Sequence, residues 1–170
     1  MLIRGTPANG GGTQVRIENS VRFVKLDNTG AELSSNTLIW PQVLDRSTGL
    51  IWTAEGNDAC LSWMDAKTSA AGVHVGGRDD WRLPTITELL SIVDYERFEP
   101  AVDTNFFRAQ RSFYWTASPV AAAPAEFAWL IGFGSGNCLI DFQSYRAYAR
   151  WVRFADRLHD GDVAIVGAKG

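Results

Sequence analysis

Apolar and polar positions change their period twice along this chain. Up to residue 52 the apolar residues come in short runs broken by turn formers. Residues 15–17 and 21–26 predict strands, and Asp27-Asn28-Thr29-Gly30 between Leu26 and Ala31 predicts a hairpin turn. Residues 1–14, with Gly10-Gly11-Gly12, read as an irregular lead-in, and residues 34–37 as a polar loop. Residues 43–52 read as strand, turn, strand. Asp45 is placed to bond the turn amides, and Gly49 to supply a positive φ. The period then becomes helical. Ala59, Trp63, Ala66 and Ala70 form one stripe, with Asp58 as the expected N-cap and Gly72 just past the end.

A second helix is written into residues 80–90. Pro84 stops an extended segment, because its ring fixes φ and removes a donor. Thr85 and Glu88 then form a Thr-x-x-Glu capping box. Ile86, Leu89, Leu90 and Val93 repeat at helical spacing, which predicts a helix from Ile86 to about Tyr95. Beyond residue 97 the helical period fades. Residues 106–107, 113–115, 128–133, 138–142 and 150–154 are short aromatic or β-branched strand candidates, and 163–166 is a further one. Residues 119–124 read as a loop and 134–137 as a turn. Strands, two helices and a second series of strands make an α+β chain rather than alternating βαβ units.

Composition narrows the classes. The 170 residues are 46% hydrophobic and 21% charged, an ordinary globular balance for one domain with extensions. A net charge of -3 offers no basic footprint, so nucleic acid is not an expected partner. No apolar run approaches the roughly 20 residues that span a bilayer, and residues 1–10 lack a signal-peptide core. Cytoplasmic folding and export both fit. Two cysteines, Cys60 and Cys138, do not form a disulfide framework.

Several motifs carry a resemblance. Asp45-x-x-Thr48-Gly49-Leu50-x-Trp52 is followed by Trp63-x-x-Ala66, then Asp80-Trp81-Arg82-Leu83-Pro84-Thr85 with Glu88-Leu89. Pro100-Ala101-Val102-Asp103 and Phe106 come next, then Tyr114-Trp115-Thr116-Ala117-Ser118, Ala128-Trp129 to Gly136, and Arg150-Trp151-Val152-Arg153. Each is weak alone, but their order and spacing over about residues 43–154 resemble the Lcl C-terminal domain family of bacterial collagen-like adhesins and related bacterial and phage proteins. The resemblance implies a C-type-lectin-like fold, two helices packed on a small twisted antiparallel sheet, related to formylglycine-generating enzymes. It also implies binding of glycans, sulfated polysaccharides or proteins, without an established catalytic set. The division expected is an N-terminal extension with a β-hairpin over residues 1–42, the family domain over 43–155, and a tail over 156–170. Family members carry a cysteine on the first helix and another before the last Val-Arg. Here those positions hold Ala70 and Trp151, a large-for-small exchange suited to a non-oxidising compartment.

The chemistry expected is recognition rather than catalysis. His74 and His159 have no metal-ligand spacing. Asp45, Asp79 and Asp80 fit turns and caps better than a calcium site. Gly132-x-Gly134-Ser135-Gly136 reads as a hairpin turn rather than a phosphate loop. Cys138, which an enzyme of the formylglycine-generating type would need, lacks a nearby partner and is expected to be a buried structural thiol. Arg82 is expected to make a structural ion pair or carbonyl contact, and Trp81, Trp115 and Trp129 to be core. The candidate ligand-binding residues are Ser135, Asn137, Gln143, Ser144, Tyr145, Arg146 and Tyr148, which mix rigid amphipathic area with adaptable hydrogen bonding. No metal or cofactor is expected. The expected partner is a glycan or a protein surface, with self-association through the N-terminal hairpin. A phage virion component or host-factor-binding protein is the alternative role.

Overall fold

The computed structural model describes residues 21–156. The strand candidates at residues 15–17 and 163–166 and the glycine-rich lead-in lie outside them. Seven strands form two antiparallel sheets. The first holds β1 (Phe23–Leu26), β2 (Gln42–Asp45), β3 (Leu50–Thr53) and β7 (Val152–Phe154), in that order. The second holds β4 (Phe113–Pro119), β5 (Phe127–Gly132) and β6 (Asn137–Phe142). Two short helices, α1 (Trp63–Ser69) and α2 (Ile86–Ser91), complete a mixed α+β architecture. No described helix is long and apolar enough to cross a membrane.

The turn between β2 and β3 is built as its residue types require. Asp45 Oδ1 accepts from the Ser47 amide at 3.0 Å, and Gly49 takes φ 68°. Arg22 then grips the same carboxylate with two bonds, at 3.0 and 2.7 Å. Asp45 is fully buried. Burial alone would raise its pKa, but the bonds from Arg22 and Ser47 outweigh it and hold the carboxyl below the usual range.

Residues 21–42 are tied into the first sheet. β1 pairs with β2 from Phe23–Asp45 to Leu26–Gln42, so it covers the β2 edge. The Asp27–Gly30 turn forms, with the Thr29 amide on Asp27 Oδ1 at 2.7 Å. The returning residues make only a single bridge, Leu26 to Glu32, instead of a full second strand.

α2 begins where the sequence places it. Thr85 and Glu88 make both bonds of the capping box, and Arg82 adds two bonds to the Glu88 carboxylate, at 2.8 and 2.7 Å. It ends earlier than expected, at Ser91 rather than near Tyr95. The Asp94 amide is drawn to Ala101 O, and the Asp94 side chain caps a new turn at Glu96 and Arg97. α1 starts at Trp63 with Ser62 as its N-cap, not at Asp58. Residues 57–61 are pulled into extended pairing with the 147–149 segment: Asn57 bonds both polar groups of Ala149, and Leu61 bonds both of Ala147. Residues 106–107 are likewise a turn rather than a strand, because both amides fold back onto Asp103 O.

The second sheet lies between two buried clusters. One joins Trp63, Ala66 and Ala70 of α1 to Trp81, Trp115, Leu130 and Trp151. The other joins Leu89 and Ile92 to Val43, Trp52, Tyr114, Ile131, Phe133 and Val152. Trp63 and Trp115 also bond across to Thr116 O and Leu61 O, at 2.7 and 2.9 Å, which fixes α1 on β4. Ala70 and Trp151, the two positions of the large-for-small exchange, both belong to the first cluster.

Asp45→Asn is expected to destabilise the fold by about 1–3 kcal/mol at neutral pH, because a charge-assisted pair is lost from a buried position. The native pKa is lowered. The contribution is therefore fully present above the unfolded aspartate value of about 3.9 and is lost as pH falls through the native value. Urea unfolding of both proteins across a pH series checks this: their difference should shrink on the acid side.

Candidate binding surface

The segment after β6 stitches the two sheets together. Tyr148 accepts from the Trp115 amide and donates to Phe113 O along the β4 edge, and Val152 two turns of the path later pairs with Trp52 of β3. Arg150 sits between them, fully buried. Its Nη1 donates to Thr53 O and Ala54 O at 2.5 and 2.8 Å, and its Nη2 to Arg108 O at 2.5 Å. Nε has no partner. Desolvation lowers the guanidinium pKa, against the pull of Tyr114 and Glu55. Burial likewise raises the Tyr114 phenol, whose oxygen accepts from the Gln110 amide at 2.7 Å. Tyr114 and Arg108 also line a cleft of about 400 Å³, with Glu55, Asn57, Asp58 and Thr104. Arg150 spends its Nη donors on main-chain carbonyls, so it reads as a structural joint beneath the cleft.

The other conspicuous feature is the outer face of β5 and β6. The register pairs Phe127 with Phe142 and Trp129 with Ile140 on one side of the sheet. The Phe127 and Phe142 rings lie 4.4 Å apart. Ile140 is 47% exposed and Phe142 55%. Trp129 and Phe127 are half-buried, so Trp129 is not a core residue as expected. α2 packs on β4 and β5, and the β6 side of the face is left uncovered. Cys138 points the same way and is exposed, correcting the expectation of a buried thiol; neither it nor Cys60 is in a disulfide. Strand alternation puts Trp129 of β5 on the same face as Cys138 and Ile140 of the outermost strand β6, and that face is uncovered toward β6. No sequence signal marks β6 as outermost.

The seven candidate residues do not converge. Ser135 and Asn137 lie at one end of β6, joined by an Oγ to Oδ1 bond of 3.0 Å. Gln143, Ser144, Tyr145 and Arg146 form the turn at the other end. Gln143 Nε2 is held by Pro124 O at 3.0 Å, and Arg146 Nη2 by Cys60 O at 2.7 Å. Tyr145 is 41% exposed and meets Trp115 edge-on at 6.4 Å. Tyr148 is half-buried against Tyr114, with centroids 5.6 Å apart. Ser144, Tyr145 and Arg146 are the exposed candidates adjoining the Phe142 end of the apolar strip, while Ser135 and Asn137 are exposed at the opposite end of β6. Gly134-Ser135-Gly136 is the β5–β6 turn, with Gly136 at φ 79°. Among the described residues no three His, Cys, Asp or Glu side chains cluster as a metal site would require.

Two antiparallel sheets and a capped helix at the Trp-Arg-Leu-Pro corner define a small α+β domain. The chain belongs to the Lcl C-terminal domain family, whose pattern it matches over residues 41–153. No curated protein sequence matches it.

Arg150→Met should remove three buried bonds and leave the Thr53 and Arg108 carbonyls without donors, Ala54 O keeping the Arg108 amide, a cost of about 3 kcal/mol. Thermal unfolding should show a large fall in midpoint, while Tyr145→Ala, at the surface, should change it little.

Proposed function

We propose that this chain is a non-enzymatic recognition module with a C-type-lectin-like arrangement, and that it binds a protein surface through the outer face of β5 and β6. The observation that carries the reading is the exposed pair Ile140 and Phe142, continuous with Phe127 and Trp129. Contiguous apolar surface of this kind is costly to leave in water, at about 25 cal/mol per Å². On soluble proteins it marks interaction sites. Aromatic anchors at the centre with polar groups at the rim are the anatomy of a binding hot spot. Here the rim is the Ser144-Tyr145-Arg146 turn.

The same geometry ranks a protein above a glycan as the ligand. A sugar site needs polar groups with free valences converging beside the stacking ring. Gln143 and Arg146 already give bonds to main-chain carbonyls. What remains is an apolar strip with little directed polarity.

The test is a double variant, Trp129→Ala/Phe142→Ala, with its fold checked by circular dichroism. A partner cross-linked and purified from the native host is titrated against both proteins. Loss of tenfold or more in affinity, roughly 1.4 kcal/mol or above, is expected. Binding to a glycan panel that survives the double variant but disappears in Tyr145→Ala would overturn the reading in favour of a carbohydrate ligand at the turn.

A further inference from the structure

Each sheet has two edges, and three of the four are closed by the chain itself. On β1 the Leu33 amide donates to Lys25 O at 2.8 Å, beside the Leu26–Glu32 bridge. On β7, Arg82 and Val152 exchange two bonds, at 3.0 and 2.9 Å. On β4, Tyr148 bonds to Trp115 and Phe113, and the Ala117 amide to Pro84 O at 2.7 Å. The fourth edge is β6.

Which groups it presents follows from the ladder. Gln143 donates to Glu126 O at 2.8 Å, in register with the β5–β6 pairs. The Phe127 amide goes to Ala123 O and its carbonyl receives Val120, so the Phe127–Phe142 pair is not a bonded one. Antiparallel alternation then commits Asn137, Leu139 and Asp141 to β5 and turns the main-chain groups of Cys138, Ile140 and Phe142 outward. Phe142 is satisfied locally: its amide donates to Asp141 Oδ1 at 2.7 Å and its carbonyl accepts from Tyr145. Cys138 and Ile140 keep two free main-chain groups each among the described residues. β6 carries no Pro, Lys or bulge, the devices that blunt an exposed edge.

We propose that β6 pairs antiparallel with β6 of a second copy of this chain, about a two-fold axis at Leu139. Only that register joins free groups to free groups. Cys138 bonds Ile140 of the second copy and Ile140 bonds its Cys138, four bonds in all. A centre at Ile140 would demand the occupied groups of Phe142. A centre at Cys138 would demand Gly136, whose amide already donates to Gly132 O at 2.7 Å. The Leu139-centred register also sets Asn137 opposite Asp141 twice. Asn137 uses only its oxygen within its own chain, toward Ser135, so its amide nitrogen is free for the carboxylate. The contact is isologous and closed, giving a dimer with one continuous six-stranded sheet. It is made by the main-chain groups of the β6 edge and needs neither the Trp129 nor the Phe142 side chain, so its test is separate from that of the proposed ligand site.

The test is sedimentation of the full chain together with cysteine pairing in a Cys60→Ser/Cys138→Ser background. A mass of twice the 18.7 kDa chain is expected. Leu139 meets its own copy in a non-bonded pair, where Cα atoms are about 4.5 Å apart, within disulfide reach. Leu139→Cys should therefore cross-link on mild oxidation, and Ile140→Cys should not. Asn137→Asp, which sets like charges opposite each other twice, should raise the dimer dissociation constant about fivefold, and Asn137→Lys should not. A monomer at all concentrations with no Leu139→Cys cross-link overturns the proposal, as does a cross-link through Ile140→Cys instead.

Discussion

The two sheets of this domain are held in one body by a buried cation that is bonded to main-chain carbonyls. Arg150 binds Thr53 and Ala54 at the end of β3 and Arg108 in the approach to β4. A charge without water is tolerated only where its donors are met, because an unmet buried group costs its full desolvation. The guanidinium therefore fixes the distance between the sheets, and the planar fork makes arginine the residue suited to serve three acceptors at once. Everything on either side of it, Tyr148 on β4 and Val152 on β3, takes its place from that joint.

Local chemistry was legible in the sequence. The capping box of α2, the Asp45 turn with Gly49, the Gly136 turn and the ion-paired role of Arg82 all depend on residues within a few positions of one another. The arrangement of strands and two helices also followed from period alone. What was not legible depends on residues far apart in the chain. Asp58 has the right side chain for a cap, but the pairing of residues 57–61 with 147–149 delays the helix to Ser62. The core role expected of Trp129 and Cys138 failed because nothing near them in sequence says that the β5–β6 face they share is left uncovered. Of the surface, the exposed turn at Tyr145 and Arg146 was legible as such; the apolar strip beside it was not, because an alternating strand reads alike whether its second face is covered or open.

The surface divides its work by strand geometry. One side of β5 and β6 supplies core to the α1 cluster through Leu130 and Ala128, while the other offers Phe127, Trp129, Ile140 and Phe142 to solvent. A rigid strand platform positions such side chains more firmly than a loop would. The cost is an apolar face left in water.

The closing segment also sets an order of events on the ribosome. Arg150 reaches back 97 positions to Thr53, and Thr53 and Trp151 are 98 apart. A nascent chain that has released α1 and α2 still has no β7 to complete its first sheet and no guanidinium to join the second. Until residue 154 has emerged, Trp52 and the β3 edge stay open to other chains. The domain thus completes its fold late in synthesis, as a unit of high contact order, with a window in which a chaperone has apolar surface to hold.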